Sequence, residues 1–375
     1  QEPPGVRDCG DVDILLLAPY CGGSHQAWAE GYMAHSSHTV TLMALPARFW
    51  KWRMQGAALT LADRVAELTR QPDMILATDM LNLPAFLGLT RDRLSEVPVA
   101  IYFHENQLTY PCPPGQSRDL TYAMINWLST VAADRIYFNS MYHLHDWYSE
   151  LPRLLKHFPD FTHLDRIDGV RSRSSVLPVG CDLQRIDRAA PRKSLAAPVI
   201  IWNQRWEYDK DPETFFRVLY MLADEGLDFR VIIAGICDRH SAPEFEAARA
   251  ALADRVIHFG RAESGCYVEL LRQADIVVST AIHEFFGVSI VEAIYAGCFP
   301  VLPHRLVYPE MIPDAYHDTC LYEDFDTLLA QLRWAVTHRS EARSVARRLN
   351  APVARFDWRA IAAQYDRAFT DLVRG

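Results

Sequence analysis

His283-Glu284-Phe285-Phe286-Gly287-Val288-Ser289-Ile290-Val291-Glu292-Ala293 sets two carboxylates eight residues apart across a loop-to-helix junction. The run before it, Asp275-Ile276-Val277-Val278-Ser279, is short and apolar and predicts a buried parallel strand, while Val288 to Ala296 predicts the next helix. The peptide N–H groups around Gly287, Val288 and Ser289 then lie at a helix N-terminus, where unpaired donors and the helix dipole favour an anion such as a diphosphate. Glu292 falls about two turns beyond Glu284, roughly a nucleotide's reach at ~1.5 Å per residue. Taken alone, the same pattern fits a first-turn carboxylate answering the dipole and a solvated Glu292.

Similar apolar, β-rich segments recur outward from this stretch. In the first half they are Asp13–Ala18, Thr39–Ala44, Asp73–Thr78, Val97–Phe103 and Arg135–Phe138. In the second they are Val199–Asn203, Phe229–Gly235, Val256–Phe259, Ile276–Ser279 and Phe299–Leu302. Strands alternating with helical stretches over this length imply βαβ units and doubly wound parallel sheets, an α/β class. The recurrence restarts after the charge-dense stretch Asp182 to Ala197, which carries Arg185, Arg188, Arg192 and Lys193. The expected organisation is a flexible tail over 1–12, one domain over 13–185, a second over 186–352 and a C-terminal helical segment over 353–375. At 375 residues the chain is long enough for two such cores.

Composition narrows the function classes. No apolar run approaches the ~18 residues of a membrane span. The polar start, with Pro3 and Pro4, lacks the apolar core of a signal peptide, so a cytoplasmic protein is expected. Eight cysteines are scattered singly without metal spacing, which fits free thiols in a reducing compartment. A net charge of −9 argues against a surface that coats nucleic acid generally, so any RNA contact must be local.

Four loops carry the candidate chemistry. Arg205 and Lys210 stand five residues apart after the first strand of the second half, a spacing that can flank a diphosphate or form a salt-bridged loop with Glu207, Asp209 and Asp211. Gly22 and Gly23 follow the first strand and allow the backbone to approach a ligand closely, though the dinucleotide fingerprint is absent. His104, Glu105, Asn106 and Gln107 follow the apolar strand ending at Phe103, where open α/β sheets place ligands. Arg48, Lys51, Trp52 and Arg53 interleave cations and aromatics, a composition that can grip phosphates while stacking bases, or form a core edge with snorkelling cations.

The quoted motifs GGSH (Gly22–His25), LPARFWKWR (Leu45–Arg53), YFHENQLTYP (Tyr102–Pro111), WNQRWEYDKD (Trp202–Asp211), HEFFGVSIVEA and YPE (Tyr308–Glu310) resemble those of the tRNA-queuosine mannosyltransferases, from about Asp13 to Trp358. Glu-x7-Glu and Arg-x4-Lys resemble the wider retaining GT-B glycosyltransferases. The resemblance implies a GT-B fold, two Rossmann-like domains facing a cleft with the C-terminal helix of 353–375 crossing back to the first domain, and GDP-mannose as donor with queuosine-containing tRNA as acceptor. It implies catalytic roles for Arg205, Lys210, Glu284 and His104. Donor binding would fall to Gly22, Gly23, Gly260, Arg261, Phe286, Gly287, Val288, Ser289 and Glu292. Acceptor binding would fall to Arg48, Lys51, Trp52, Arg53, Glu105, Asn106 and Gln107. No essential metal or other cofactor is implied, and no Asp-x-Asp motif stands near the proposed site. Gln204 and Tyr208 depart from the family pattern, which bears on the acceptor more than on the chemistry. The same fold acting on a small-molecule, lipid or protein acceptor stays open, as does a sugar-nucleotide or RNA-binding module without turnover. The oligomeric state is open, and a monomer is compatible.

Overall fold

The computed structural model describes residues 11–113, 115–190, 195–235 and 243–375. Most of the expected N-terminal tail, together with Arg192, Lys193, Cys9 and Cys237, lies outside the described residues. The chain divides into two units: Gln1–Gly180 with Trp358–Gly375, and Cys181–Asp357. The first junction lies five residues before the expected 185/186, because the Gln184–Asp187 helix already buries Ile186 and Cys181 donates its N–H to Phe356 O at 2.7 Å.

The first unit holds β1 (Asp13–Cys21), β2 (Thr39–Pro46), β3 (Met74–Thr78), β4 (Val99–Phe103), β5 (Arg135–Phe138) and β6 (Ser174–Val176). They form a parallel sheet in the order β2-β1-β3-β4-β5-β6. Every residue of β3 and β4 is buried, as expected of strands covered by helices on both faces. The chain leaves β1 for one side and returns to β3 on the other, so the switch point lies between these two strands. Ligands of open α/β sheets bind beyond the strand C-termini at such points.

The second unit holds β7 (Val199–Trp202), β8 (Arg230–Ala234), β9 (Val256–Gly260), β10 (Ile276–Val278), β11 (Phe299–Pro303) and β12 (Leu321–Tyr322), in the order β12-β11-β10-β7-β8-β9. Its switch point lies between β7 and β10. Buried Asp275 pins these strands at their other ends, accepting Val199 N–H at 2.9 Å and pairing with Arg339 and Arg343, each at 2.7 Å.

The Trp358–Arg374 helix belongs to the first unit. Its Trp358 ring lies against Gly31 and Gly180 so closely that a Cβ at Gly180 would stand 2.2 Å from Trp358 Cδ2. Tyr365 accepts the Trp28 indole N–H at 3.0 Å, and Asp366 accepts Tyr32 O–H at 2.9 Å and Ser37 N–H at 2.8 Å. Among the described residues no helix is long and apolar enough to cross a membrane.

Candidate functional site

At the switch point of the second unit, the loop after β7 and the loop after β10 are tied together by Lys210. Its ammonium is 6% exposed and donates to His283 O at 2.7 Å, with Asp209 at 3.1 Å and Glu284 at 3.3 Å. Thr280 Oγ1 donates to Lys210 O and Asp211 O, both at 2.8 Å, and Ile282 N–H reaches Asp209 O at 2.9 Å. Asp211 takes a left-handed φ of 47° and caps the following helix through Thr214 N–H, so it is not one of the expected partners of Lys210.

The charges in this knot are mutually set. Burial raises the Glu284 carboxyl most strongly, yet Lys210, His283 and Arg205 together carry it below its usual value. Burial lowers Lys210, and Glu284 and Asp209 outweigh that and raise it. His283 is brought down to about 4 by burial and then by Lys210, so its ring is neutral at pH 7. Arg205 differs: its side chain is 53% exposed and pairs with Glu207 at 3.1 Å. The two cations that sequence groups as one phosphate clamp are therefore one internal ammonium and one guanidinium facing solvent.

Gly287 caps the Val288–Tyr295 helix at a φ of 83°, a left-handed geometry that suits glycine. Ile290, Val291, Ala293 and Ile294 anchor the helix in the core, while Val288 and Ser289 are half-buried. Phe286 is buried and packs edge-on against Phe356 at 5.2 Å, so at this position the backbone is what faces a ligand. Glu292 is buried rather than solvated. Its carboxylate accepts from Arg185 and, at 3.1 Å, from Tyr267 O–H. Nearby, a cavity of about 200 Å³ is lined by Asn203, Gln204, Arg205, Ala234, Gly235, Arg261, Ala262 and Tyr267. Gly260, at a φ of 111°, ends β9 just before Arg261.

The switch point of the first unit gathers a second cluster. Gly22 caps the Gly23–His35 helix and packs so tightly that a Cβ there would lie 2.6 Å from Ala47 Cβ. The His104 ring sits between His25 at 4.3 Å and Trp28 at 4.6 Å. Burial, then His25 and His143, hold its imidazole well below the usual value, hence neutral. Asp79, fully buried after β3, accepts His104 N–H at 2.9 Å; burial and then Glu105 push its carboxyl well above the usual range. Asn106 is enclosed and spends its amide inside the protein, accepting from Thr109 N–H at 2.8 Å and donating toward His143 at 3.0 Å. Gln107 donates to Glu105 at 3.0 Å. Asn106 and Gln107 thus shape this loop, and Glu105 is its partly exposed acid.

The basic patch stands at the start of the Trp50–Val65 helix. Phe49 and Trp52 are 75% and 65% exposed, and Lys51 lies 5.6 Å over the Trp50 ring. Arg48 is exposed, and Arg53 donates to Pro46 O at 3.2 Å. The helix carries no acid in its first turn, so Lys51 and Arg53 oppose its dipole. Sequence reading passed over Arg185, Tyr267, Asn203 and Asp79. Arg185 was submerged in a charge-dense linker, and only the partner it meets singles it out.

Residues 13–181 match the family described as tRNA-queuosine alpha-mannosyltransferase N-terminal, and residues 184–348 match Glycosyl transferases group 1. A Drosophila melanogaster tRNA-queuosine alpha-mannosyltransferase is 33% identical over 314 residues, 81% of this chain and 83% of the relative. A Xanthomonas campestris GDP-mannose:cellobiosyl-diphosphopolyprenol alpha-mannosyltransferase is 27% identical over 200 residues, 52% of each chain. In fold, the chain is similar to sucrose-phosphate synthase from Thermosynechococcus elongatus, with a TM-score of 0.72, 15% identity and coverage of 97% of this chain and 99% of that one. It is likewise similar to an Anabaena protein solved with UDP and glucose, with a TM-score of 0.66, 14% identity and coverage of 96% and 100%. These likenesses give the GT-B fold. Matched along both halves and 33% identical to a relative of which it covers 83%, the chain belongs to the tRNA-queuosine alpha-mannosyltransferase family.

Proposed function

We propose that this chain transfers mannose, with retention, from GDP-mannose to the cyclopentene diol of queuosine in a tRNA anticodon. The observation that carries the reading is the Drosophila relative's 33% identity, combined with two carboxylates held by protein partners, one in the loop before the switch-point helix and one within that helix. In this reading the second unit takes the donor. Glu284, kept ionised by Lys210, accepts hydroxyls of the sugar, and Glu292 accepts those of the ribose. As the bond from the anomeric carbon to the diphosphate breaks, negative charge gathers on the leaving group. Arg205, exposed beside the cavity, and the N–H groups at Gly287 to Ser289 meet that charge, an electrostatic stabilisation that is greatest in the transition state. Lys210 acts on the same charge through Glu284 and its loop. No metal is needed for this compensation.

The first unit is proposed to take the acceptor. Glu105 and the neutral His104 offer hydrogen bonds to substrate hydroxyls, while Arg48, Lys51, Arg53 and the exposed Trp52 meet the RNA. A patch that opposes its own helix dipole is favoured by a polyanion. These substrates place the reaction in the cytoplasm. The test is to incubate the protein with GDP-mannose, or with UDP-sugars, and tRNA with or without queuosine, then weigh the released nucleosides. A hexose added to queuosine from GDP-mannose alone is the expected result. Transfer from UDP-sugars, or to tRNA lacking queuosine, would refute it.

A further inference from the structure

We propose that Arg185 and Tyr267 are positioning residues that hold the Glu292 carboxylate as a ready acceptor for a vicinal diol, the 2′ and 3′ hydroxyls of a nucleoside. This rests on the reading of Glu292 as the ribose contact. Glu292 is 6% exposed and is approached from two other elements. Arg185 Nη2 donates to Oε1 from the Gln184–Asp187 helix, and Tyr267 O–H donates to Oε2 from the Ser264–Gln273 helix. A carboxylate offers about four acceptor positions, two on each oxygen. With one on each oxygen filled by protein, what remains matches two neighbouring hydroxyl donors.

The direction of the Tyr267 hydrogen bond is fixed by its neighbours. Asn203 Nδ2 donates to the Tyr267 hydroxyl at 3.0 Å and to Ser289 O at 2.8 Å. The phenolic proton is therefore committed to Glu292. Tyr267 and Asn203 also line the cavity of about 200 Å³, so the brace and the space a nucleotide would enter share walls. The Arg185 guanidinium lies 5.7 Å over the Tyr267 ring, tying the two supports to each other.

Charge gives the arrangement a testable signature. Burial pushes the Glu292 carboxyl above the usual range, Arg185 and the Tyr267 hydroxyl pull against that, and Asp182 adds to it. Cys181, also near, is held as a neutral thiol by burial and by Glu292, and Tyr267 stays protonated for the same two reasons. Arg185 is thus the cation that pulls Glu292 toward its ionised form. Without it the carboxyl rises further toward neutrality, and its protonated form loses acceptor capacity. Nucleotide binding then strengthens as pH rises.

The experiment measures GDP and 2′,3′-dideoxy-GDP binding to the full chain by calorimetry between about pH 6 and 9, a window above ordinary carboxylate values. The parent should favour GDP about 10-fold or more, as expected for hydrogen bonds to a charged acceptor, at every pH. Glu292→Gln should erase that preference; if it does not, the ribose reading itself fails, whatever Arg185 does. With that reading standing, Arg185→Met should weaken GDP about 10-fold near pH 6 and recover toward pH 9, while dideoxy-GDP binding stays level. Arg185→Lys should keep the flat pH profile, and Tyr267→Phe should lose part of the preference for GDP. Equal losses for both nucleotides in Arg185→Met, independent of pH, overturn the proposal, as does parental behaviour. If Arg185→Met does not fold, Tyr267→Phe with an undiminished preference for GDP overturns it.

Discussion

Replacing Lys210 with Met removes the ammonium that faces Asp209 and Glu284 while keeping a side chain of similar length. Asp209 is 2% exposed and Glu284 21%, so water does not readily take over the lost role. Removing one partner of a buried pair costs ~3–5 kcal/mol, and the partial exposure of Glu284 points to the lower end. At ~2–4 °C per kcal/mol for a unit of this size, the melting transition of the second unit should fall by about 6–12 °C at pH 7. The sign of the pH dependence follows from the shifts. Glu284 is held below its ordinary value in the parent, so its contribution is present above ~4.3 and is lost as pH falls through the folded value. Lys210 is held above its ordinary value, so its contribution is full below ~10.4 and is lost as pH rises through the folded value. In the variant the uncompensated Glu284 carboxyl rises instead, and the deficit should be largest near neutrality and shrink as pH falls toward ~5. Glu284→Gln added to Lys210→Met should restore part of the loss. Calorimetric melts of the three proteins decide it, and a parental melt at pH 7, or a deficit that ignores pH, would refute the role of the pair. Measured below the melt, turnover should drop by a further ~2–4 kcal/mol of transition-state stabilisation.

Arg205→Ala should leave the melt within ~1 kcal/mol, because its pair with half-buried Glu207 is largely solvated, while turnover falls ~100-fold to 1000-fold; an unchanged rate would remove Arg205 from the chemistry. Replacing Arg48, Lys51 and Arg53 together with Ala should reduce the slope of log K against log salt for tRNA by up to three contacts at ~0.7–0.9 each, with donor affinity unchanged. Trp52→Ala, now seen to be an exposed ring, should cost ~1–3 kcal/mol of tRNA affinity without unfolding the chain or altering the slope. Gly180→Ala would place a Cβ 2.2 Å from Trp358 Cδ2 and should destabilise the first unit by ~1–3 kcal/mol in denaturant titrations; a neutral result would mean the terminal helix can yield.

Of the ten strands read from sequence, eight lie in the interior of their sheets, and the two edge strands among them, β2 and β9, are eight and five residues long, enough to show an apolar pattern. The two unread strands are β6, with sequence Ser-Ser-Val, and β12, with Leu-Tyr. Both are sheet edges. An edge strand buries one flank only, so its residues need not be apolar and its length can shrink to two, which removes the periodicity that betrays an interior strand. The C-terminal helix was readable as a helix, and the resemblance implied that it crosses back to the first domain, but the contacts that hold it there, Trp358 against Gly31 and Gly180, join residues well over a hundred positions apart.

The site divides along a similar line. Glu284, Glu292, Arg205 and Lys210 could be picked out because strand-to-helix loops fix their spacing in the chain. What each does could not, because a charged side chain is defined by its partner. Lys210 and Arg205 stand five residues apart, yet one is enclosed by three oxygens and the other faces solvent. Arg185 stands 107 residues from Glu292 and was indistinguishable from its basic neighbours until the fold joined them. The same reasoning explains why Asn106, beside His104 and Glu105 in a motif of polar residues, turns out to brace the loop: a run of polar side chains after a buried strand must satisfy its own backbone before it can serve a ligand. Exposure then separates the two: Asn106, enclosed, holds the turn, and Glu105, partly exposed on it, is the acid that the proposed reading gives to a substrate.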